Sequence, residues 1–545
     1  MASQKGRVVR QAAFLMTAQM ISSVIGLLYR SPLHMMVGDL GDGYYQFAFE
    51  WYTIILLIAS YSIPSAVSKV MAERLAVKEY RNAQKVFKAA LIYVLIAGGI
   101  GALVAFFGAP FILANQPDAV LALRALAPTI LLSGFLGVFR GFFQAHNSMK
   151  QTAISQVAEQ IMNAVFSVLM AYLLTRPYIG DENLTGKFGA TGGTIGTGAG
   201  VVTGLIVVLL AYHVNSRKIN SRIARDTHET EEDYKDVFRD ILLMCTPIIL
   251  ATCVYNMTAV VDQVIFTNLA GTHGFSANLI SKLYGLFGYR VRPIINIPIA
   301  LASATSTALI PAVATSRAEG SRDDAVSKID ECVKLTMLIA IPAAVGIAIL
   351  SYPVMFALYP SGAVAGAAEL LSWSAVSVIF YSLSTVTNGA LQGFGKPNIP
   401  VRNAAIALGV NIAVTALTVG PLGIHIYGVV LAMVLYSFIV LVLNLLALRK
   451  HCGYFPDFRG ALPSVKAALV MGVVVAVIYW IPTLVLPDIF ERYLGSAVLM
   501  VIAVLAGILV YFVIYGKVSD LTDEEFRRMP MGTRLLGILK RLHVR

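Results

Sequence analysis

The sequence predicts an all-α protein that crosses the membrane many times, on three observations. Of its 545 residues, 57% are hydrophobic and 13% charged, with a mean hydropathy of +0.74, whereas a soluble protein carries about 25% charged residues. Apolar runs of about 20 residues, each long enough for a hydrocarbon core of roughly 30 Å, recur from end to end. Backbone polar groups in lipid must be satisfied within the chain, so these runs are helices. The ten-residue alternating segments of a membrane barrel do not occur.

Taken in order, the runs give roughly fourteen spans. The first follows Arg10, has no small-x-small cleavage site and continues to Val37, so it reads as span 1 and not as a cleaved leader. Spans 1 and 2 cover about 8–37 and 44–67, spans 3 and 4 about 88–113 and 121–144, and spans 5 and 6 about 153–175 and 190–214. A charged stretch, 215–238, follows. Spans 7 and 8 lie at about 240–268 and 282–313, 9 and 10 at about 331–358 and 365–391, and 11 and 12 at about 401–420 and 425–448. A last pair occupies about 463–486 and 494–516. The expected organisation is an N-lobe (1–214), a linker (215–238), a C-lobe (239–449), two further helices (450–516) and a basic tail (517–545) with Thr522 and Glu525 spaced as a capping box.

The net charge of +12 is distributed as a membrane protein distributes it, not as a nucleic-acid binder does. Lys5, Arg7 and Arg10 precede span 1; Lys69, Arg74, Lys78, Arg81, Lys85 and Lys88 fall between spans 2 and 3; Arg217, Lys218, Arg222, Arg225, Lys235 and Arg239 fall between spans 6 and 7. The alternate connections are nearly bare, with Asp39 and Asp42 in one and Asp118 in another. The positive-inside rule then places both termini in the cytoplasm, with which the even span count agrees. Cys245, Cys253, Cys332 and Cys452 are scattered and read as small buried hydrophobes, not as a disulfide or metal framework.

The chain repeats. Ile63-Pro64-Ser65-Ala66-Val67 ends span 2 and Ile310-Pro311-Ala312-Val313 ends span 8, an offset of 247 residues between the prolines. Gly141-Phe142-Phe143-Gln144 ends span 4 and Gly389-Ala390-Leu391-Gln392 ends span 10, an offset of 248. A unit of six helices returns to the same side of the membrane, so the two lobes run parallel about an axis along the membrane normal, with a cavity expected between them.

Ionisable groups inside lipid cost about 2.5–3.5 kcal/mol on insertion scales and so face cavities or partners. Arg30 in span 1 and Arg290 and Arg292 in span 8 all fall in the outer half of the bilayer, and Glu50 lies at a depth where it could pair with Arg30. Pro32, Pro293 and Pro298 interrupt the same spans, and such breaks suit cavity walls. A cationic cavity for an anion follows, since guanidinium binds phosphate bidentately; snorkelling to headgroups is the structural alternative. Arg140 and Glu159, joined by a short loop, read as a structural ion pair. Asp262 in span 7, six residues after Asn256, is a candidate for Na⁺ or H⁺ coupling or else a water-exposed helix end, and Asn411 in span 11 could add a neutral oxygen. The Gly189–Gly204 stretch has no preceding strand and no following Lys-Ser/Thr, so it is helix packing, not a phosphate loop. No nucleophile–base constellation occurs, and an enzyme is not expected.

The block Arg140-Gly141-Phe142-Phe143-Gln144 followed by Thr152-Ala153-Ile154-Ser155-Gln156-Val157-Ala158-Glu159-Gln160 resembles the SpoVB/MurJ-type branch of the multidrug/oligosaccharidyl-lipid/polysaccharide exporter superfamily. Tyr44-Tyr45-Gln46, Ile63-Pro64 and the Pro298…Pro311 layout fit it too. The resemblance implies a monomeric flippase of the bacterial cytoplasmic membrane for undecaprenyl-pyrophosphate-linked saccharides, lipid II first among them, without a cofactor. Cavity arginines would hold the pyrophosphate, and Arg30, Arg290 and Arg292 map onto the helices concerned. Another lipid-linked unit (capsule, teichoic or spore-wall precursor) and a cation-coupled multidrug antiporter are the alternatives. Two departures stand out. Span 2 offers Glu50 and no arginine, and span 11 lacks the carboxylate of a described sodium site, which leaves Asn411.

Overall fold

A computed structural model describes residues 17–519 apart from Ser62, Asn147, Arg225, 227–231 and 487–492. The N-terminal cations Lys5, Arg7 and Arg10, the tail from 520 with its Thr522/Glu525 spacing, and Arg225 of the charged stretch lie outside the described residues. Within them the chain is helical throughout, with no strand. Contacts divide it into two compact units, one through Gly285 and one from Leu286 on.

The first unit opens with α1 (Thr17–Leu28), which ends in a turn at Tyr29, and α2 (Arg30–Leu56). Pro32 sits in the first turn of α2, where its missing N–H leaves the chain free to break. A second break, at Gly38 with φ 66° and ψ −178°, separates predicted span 1 from span 2; that backbone geometry is all but confined to glycine. Span 2 then passes through a π-helical turn, Leu57–Tyr61, into α3 (Ile63–Ala76), past the predicted end at 67. There follow α4 (Tyr80–Ile112), α5 (Val120–Ala145), α6 (Met149–Thr175), α7 (Glu182–Ala224), α8 (Tyr234–Thr272) and α9 (Ala277–Gly285).

The glycines of α7 let it lie directly on α6. A Cβ at Gly196 would land on the backbone nitrogen of Ser167, and one at Gly200 would stand 2.6 Å from the Glu159 carbonyl. This is the close approach that small residues give membrane helices. The charged 215–238 stretch is tied to the ends of α3 and α4. Arg74 reaches Asp240 Oδ2 at 2.6 Å and Glu232 at 3.2 Å, Lys85 Nζ donates to the Glu232 carbonyl at 3.0 Å, and Arg81 N donates to Asp226 Oδ2 at 2.7 Å. These ties and the packing of α8 and α9 on α2 to α4 put the contact boundary at Gly285, downstream of the charged stretch.

The second unit begins with a π-helical segment, Leu286–Val291, which takes up the break expected near Pro293, and continues in α10 (Arg292–Ala318). Then come α11 (Arg322–Ile349), α12 (Ser351–Leu358), α13 (Val364–Gly393), α14 (Asn398–Val419), α15 (Ile426–Cys452), α16 (Leu462–Val485) and α17 (Tyr493–Val518). Its apolar core joins α10, α11, α13, α15, α16 and α17 through residues such as Leu309, Ile329, Val386, Leu448, Met471 and Ala503. Leu469, Val473 and Leu505 face outward from α16 and α17, as lipid-facing residues do.

Among the described residues twelve helices are long and apolar enough to cross a membrane, fewer than the fourteen expected. Arg30–Ala76 counts there as one run of 47 residues, Thr17–Leu28 counts as short, and Tyr234–Thr272 is not among the twelve.

Candidate functional site

The first unit encloses a polar cavity of about 810 Å³, within the range of small-molecule pockets. It is walled by α1, α2 with its π-turn, α3, α5, α6, α7 and α8. Arg30 enters it from α2, where the Tyr29 turn and Pro32 set the start of the helix, and Tyr52 lies further along. One face of α6 supplies Thr152, Gln156, Glu159, Gln160 and Asn163. Asn256 joins from α8 and donates its Nδ2 to the Thr252 carbonyl at 2.8 Å.

Several lining atoms have no protein partner. Ser22 Oγ, Ser60 Oγ, Thr152 Oγ1 and Gln156 Oε1 are buried without a hydrogen bond, and Ser60 and Thr152 are only 4% and 2% exposed. Buried polar groups are otherwise nearly always satisfied, so these side chains carry unused hydrogen-bonding capacity in the cavity wall.

Arg140 and Glu159 also line this cavity. Arg140 Nη2 meets Glu159 Oε2 at 2.6 Å, and its Nε donates to Ser155 Oγ at 2.9 Å, which in turn donates to the Thr152 carbonyl at 2.8 Å. The glycines of α5 bring the arginine there: a Cβ at Gly141 would stand 2.7 Å from the Pro64 carbonyl, so α5 lies directly on α3.

Glu50 is 5% exposed. It accepts hydrogen bonds from Gln46 Nε2 at 3.0 Å and from the Tyr284 hydroxyl at 2.7 Å, which ties α2 to α9. Asp262 is 1% exposed, which removes the alternative of a water-exposed helix end. The neighbouring Gln263 donates to the Phe47 carbonyl at 3.5 Å.

In the second unit, Arg290 is fully buried in the π-segment, its guanidinium 5.3 Å from the Tyr359 ring centroid. It is not snorkelling to headgroups. Arg292 lies 4.7 Å from the Phe287 ring centroid. Both are cation–π distances. Asn411 is 1% exposed, and neither of its amide atoms has a hydrogen-bond partner.

Sequence reading missed two features. Thr152, Gln156, Glu159, Gln160 and Asn163 recur at helical spacing, so a polar stripe on α6 was visible in the sequence as a period. The other is a buried cluster at the Gly38 break. His34 Nδ1 and Asp42 Oδ2 are 2.9 Å apart, and ligand atoms of His34, Asp39 and Asp42 lie within 4.8 Å of one another, the one such group among the described residues. The backbone turn at Gly38 assembles it, and no spacing motif announces it.

Twelve helices long and apolar enough to cross a membrane, among the described residues, make this an integral membrane protein with a cavity among its helices. The chain belongs to the polysaccharide biosynthesis protein family, which it matches over residues 8–317, and residues 247–417 also match the MatE family. It is 25% identical over 527 residues to the lipid II flippase MurJ of Bacillus subtilis, covering 94% of this chain and 95% of that protein. It is 20% identical over 529 residues to stage V sporulation protein B of the same organism, covering 96% and 97%. Its fold is that of a lipid II flippase MurJ in an inward closed conformation, with a TM-score of 0.64 at 17% identity over 92% of this chain and 97% of that one. An inward-facing MATE-family multidrug resistance transporter follows at a TM-score of 0.58 and 14% identity, covering 81% and 94%. The chain is thus a member of the SpoVB/MurJ-type branch of the multidrug/oligosaccharidyl-lipid/polysaccharide superfamily, a transporter and not an enzyme.

Proposed function

We propose that the protein is a flippase for an undecaprenyl-pyrophosphate-linked saccharide, with lipid II as its leading cargo. It moves this cargo from the inner to the outer leaflet of a bacterial cytoplasmic membrane by alternating access. The observation that carries this reading is the cavity of about 810 Å³ lined by amides, hydroxyls and Arg30. Amides and hydroxyls suit an uncharged saccharide rich in donors and acceptors, and a guanidinium suits the pyrophosphate. The prenyl tail needs no pocket because it stays in lipid. Asp262, buried on α8, is the acid we assign to Na⁺ or H⁺ coupling, with Asn256 on the same helix as its neutral companion and Asn411 as a further candidate. The similarity to stage V sporulation protein B supports a second reading, export of a different lipid-linked saccharide.

The test is rescue of a flippase-depleted bacterium, read by accessibility of lipid II at the outer surface. Expression of the chain restores export, whereas Arg30→Ala and the double variant Arg290→Ala/Arg292→Ala abolish rescue at unchanged protein levels. Failure of the unmodified chain to restore export overturns lipid II as the cargo. Full growth of both variants overturns the roles of the arginines.

A further inference from the structure

Arg140 and Glu159 pair across α5 and α6 inside the cavity of the first unit. A purely structural ion pair should recur wherever the repeat builds the same helix crossing. The offset of 248 residues maps Arg140 onto Asn388, Ser155 onto Asn403 and Glu159 onto Ala407. There neutral amides join the two helices through a third, α15: Asn444 Nδ2 donates to Asn388 Oδ1 at 2.7 Å, and Asn403 Nδ2 donates to Asn444 Oδ1 at 2.9 Å. The fold therefore holds this crossing without charge. Where charge is present, it lines a cavity in which the buried Thr152 Oγ1 and Gln156 Oε1 on the same helix have no protein partner.

The geometry points to Arg140 as a second anion site in this cavity, occupied at rest by the Glu159 carboxylate, which a phosphate group of the cargo displaces. This rests on the reading that the cargo is pyrophosphate-linked. Guanidinium nitrogens donate to a carboxylate or to a phosphate oxygen alike, so a phosphate can take the place of the Glu159 oxygen at Nη2 and leave the guanidinium paired throughout. The Thr152 hydroxyl can supply a further donor to a phosphate oxygen, while Ser155, which accepts from Arg140 Nε and donates to the Thr152 carbonyl, holds the guanidinium in place.

The two arginines stand at different depths. Asp118 and Tyr44 mark one end of the unit, since their side-chain oxygens are 3.5 Å apart. At 1.5 Å per residue, Arg30 lies about 12 Å from Gly38 at that end, and Arg140 about 33 Å from Asp118. Arg140 thus lies deeper from that end than Arg30, and a cargo moving along the cavity meets the two in succession.

The test uses the full chain purified in detergent, with geranyl pyrophosphate as the probe and Arg30→Gln as the background, which silences the first site of this cavity, and reads the part of the binding that depends on Arg140. In that background Glu159→Gln tightens binding about tenfold, the equivalent of one charge-assisted hydrogen bond. Adding Arg140→Gln removes the gain. Size-exclusion and thermal unfolding profiles confirm that each variant is folded. A gain below about twofold, or a gain that survives Arg140→Gln, overturns the proposal. Should Glu159→Gln not fold, Glu159→Asp loosens the 2.6 Å contact and gives a smaller gain of the same sign, and no gain from it overturns the proposal equally. The outcome is separable from the flippase reading: a chain that fails to export lipid II but shows the Arg140-dependent gain keeps this site and loses only its cargo.

Discussion

Where Arg140 meets Glu159 in the first unit, the second unit sets Asn388 and Asn403 around Asn444 and leaves Ala407 in place of the acid. The neighbouring contact differs in the same sense. Gly196 sets α7 directly on Ser167 of α6 with no side chain between them, whereas in the second copy the buried amide of Asn444 joins α15 to α14 at Asn403, the counterpart of Ser155. The crossing of the proline-bearing helix also slides. In the first copy Gly141 lies against Pro64 and Val67, whereas in the second Gly393, which corresponds to Ala145, lies against Ile310 and Val313, one helical turn further along. A repeat thus fixes which helices cross, while the residues at each crossing decide whether the result is a charged cavity wall or a neutral seam.

The largest break in this comparison comes from removing the closest approach. Gly196→Leu drives a side chain into the backbone of Ser167 and is expected to cost about 3 kcal/mol or more, seen as loss of folded, monodisperse protein in detergent. In the second unit the corresponding test is Asn444→Leu, at a residue that already carries a side chain. It instead strips partners from buried Asn403 and Asn388, and should cost about 2 kcal/mol, measured as a lower thermal unfolding midpoint with retained expression. The smallest effect belongs to the end of the first unit, where Lys187 Nζ pairs with Asp118 Oδ1 at 3.1 Å and both are partly exposed. Lys187→Ala is expected to shift stability by about 0.5 kcal/mol, and less at high salt, because solvent screens such pairs. If Gly196→Leu were tolerated as well as Lys187→Ala, the glycine seam would not be what closes the first copy.

Much of the fold could be read from the sequence because lipid imposes a length and an apolarity that every span must meet. The repeat was visible in Pro64/Pro311 and Gly141/Gly389, since these are the residues on which helices cross. The ends of the helices were not. α7 runs on to Ala224 and α3 to Ala76, because a helix that leaves the bilayer continues with charged residues such as Arg74 and Arg222 that hydropathy reads as loop. Arg290 was placed inside a span from its spacing, but its seat against Tyr359 depends on α12 ending there. The polar cavity was least visible. Its walls come from seven helices, and Arg140 and Glu159, read as a pair from their short connection, gave no sign that they face the same space as Arg30.

Gly38 has a further consequence. Its φ of 66° lies where L residues are strained, yet a Cβ built there meets nothing within 4 Å. The demand at this position is therefore for handedness and not for smallness. Alanine and leucine would be disfavoured alike, by the same backbone term, while nothing around the site sorts side chains by volume. The bend that separates the first two spans, and with it the meeting of His34 and Asp42, is held in place by the absence of a stereocentre.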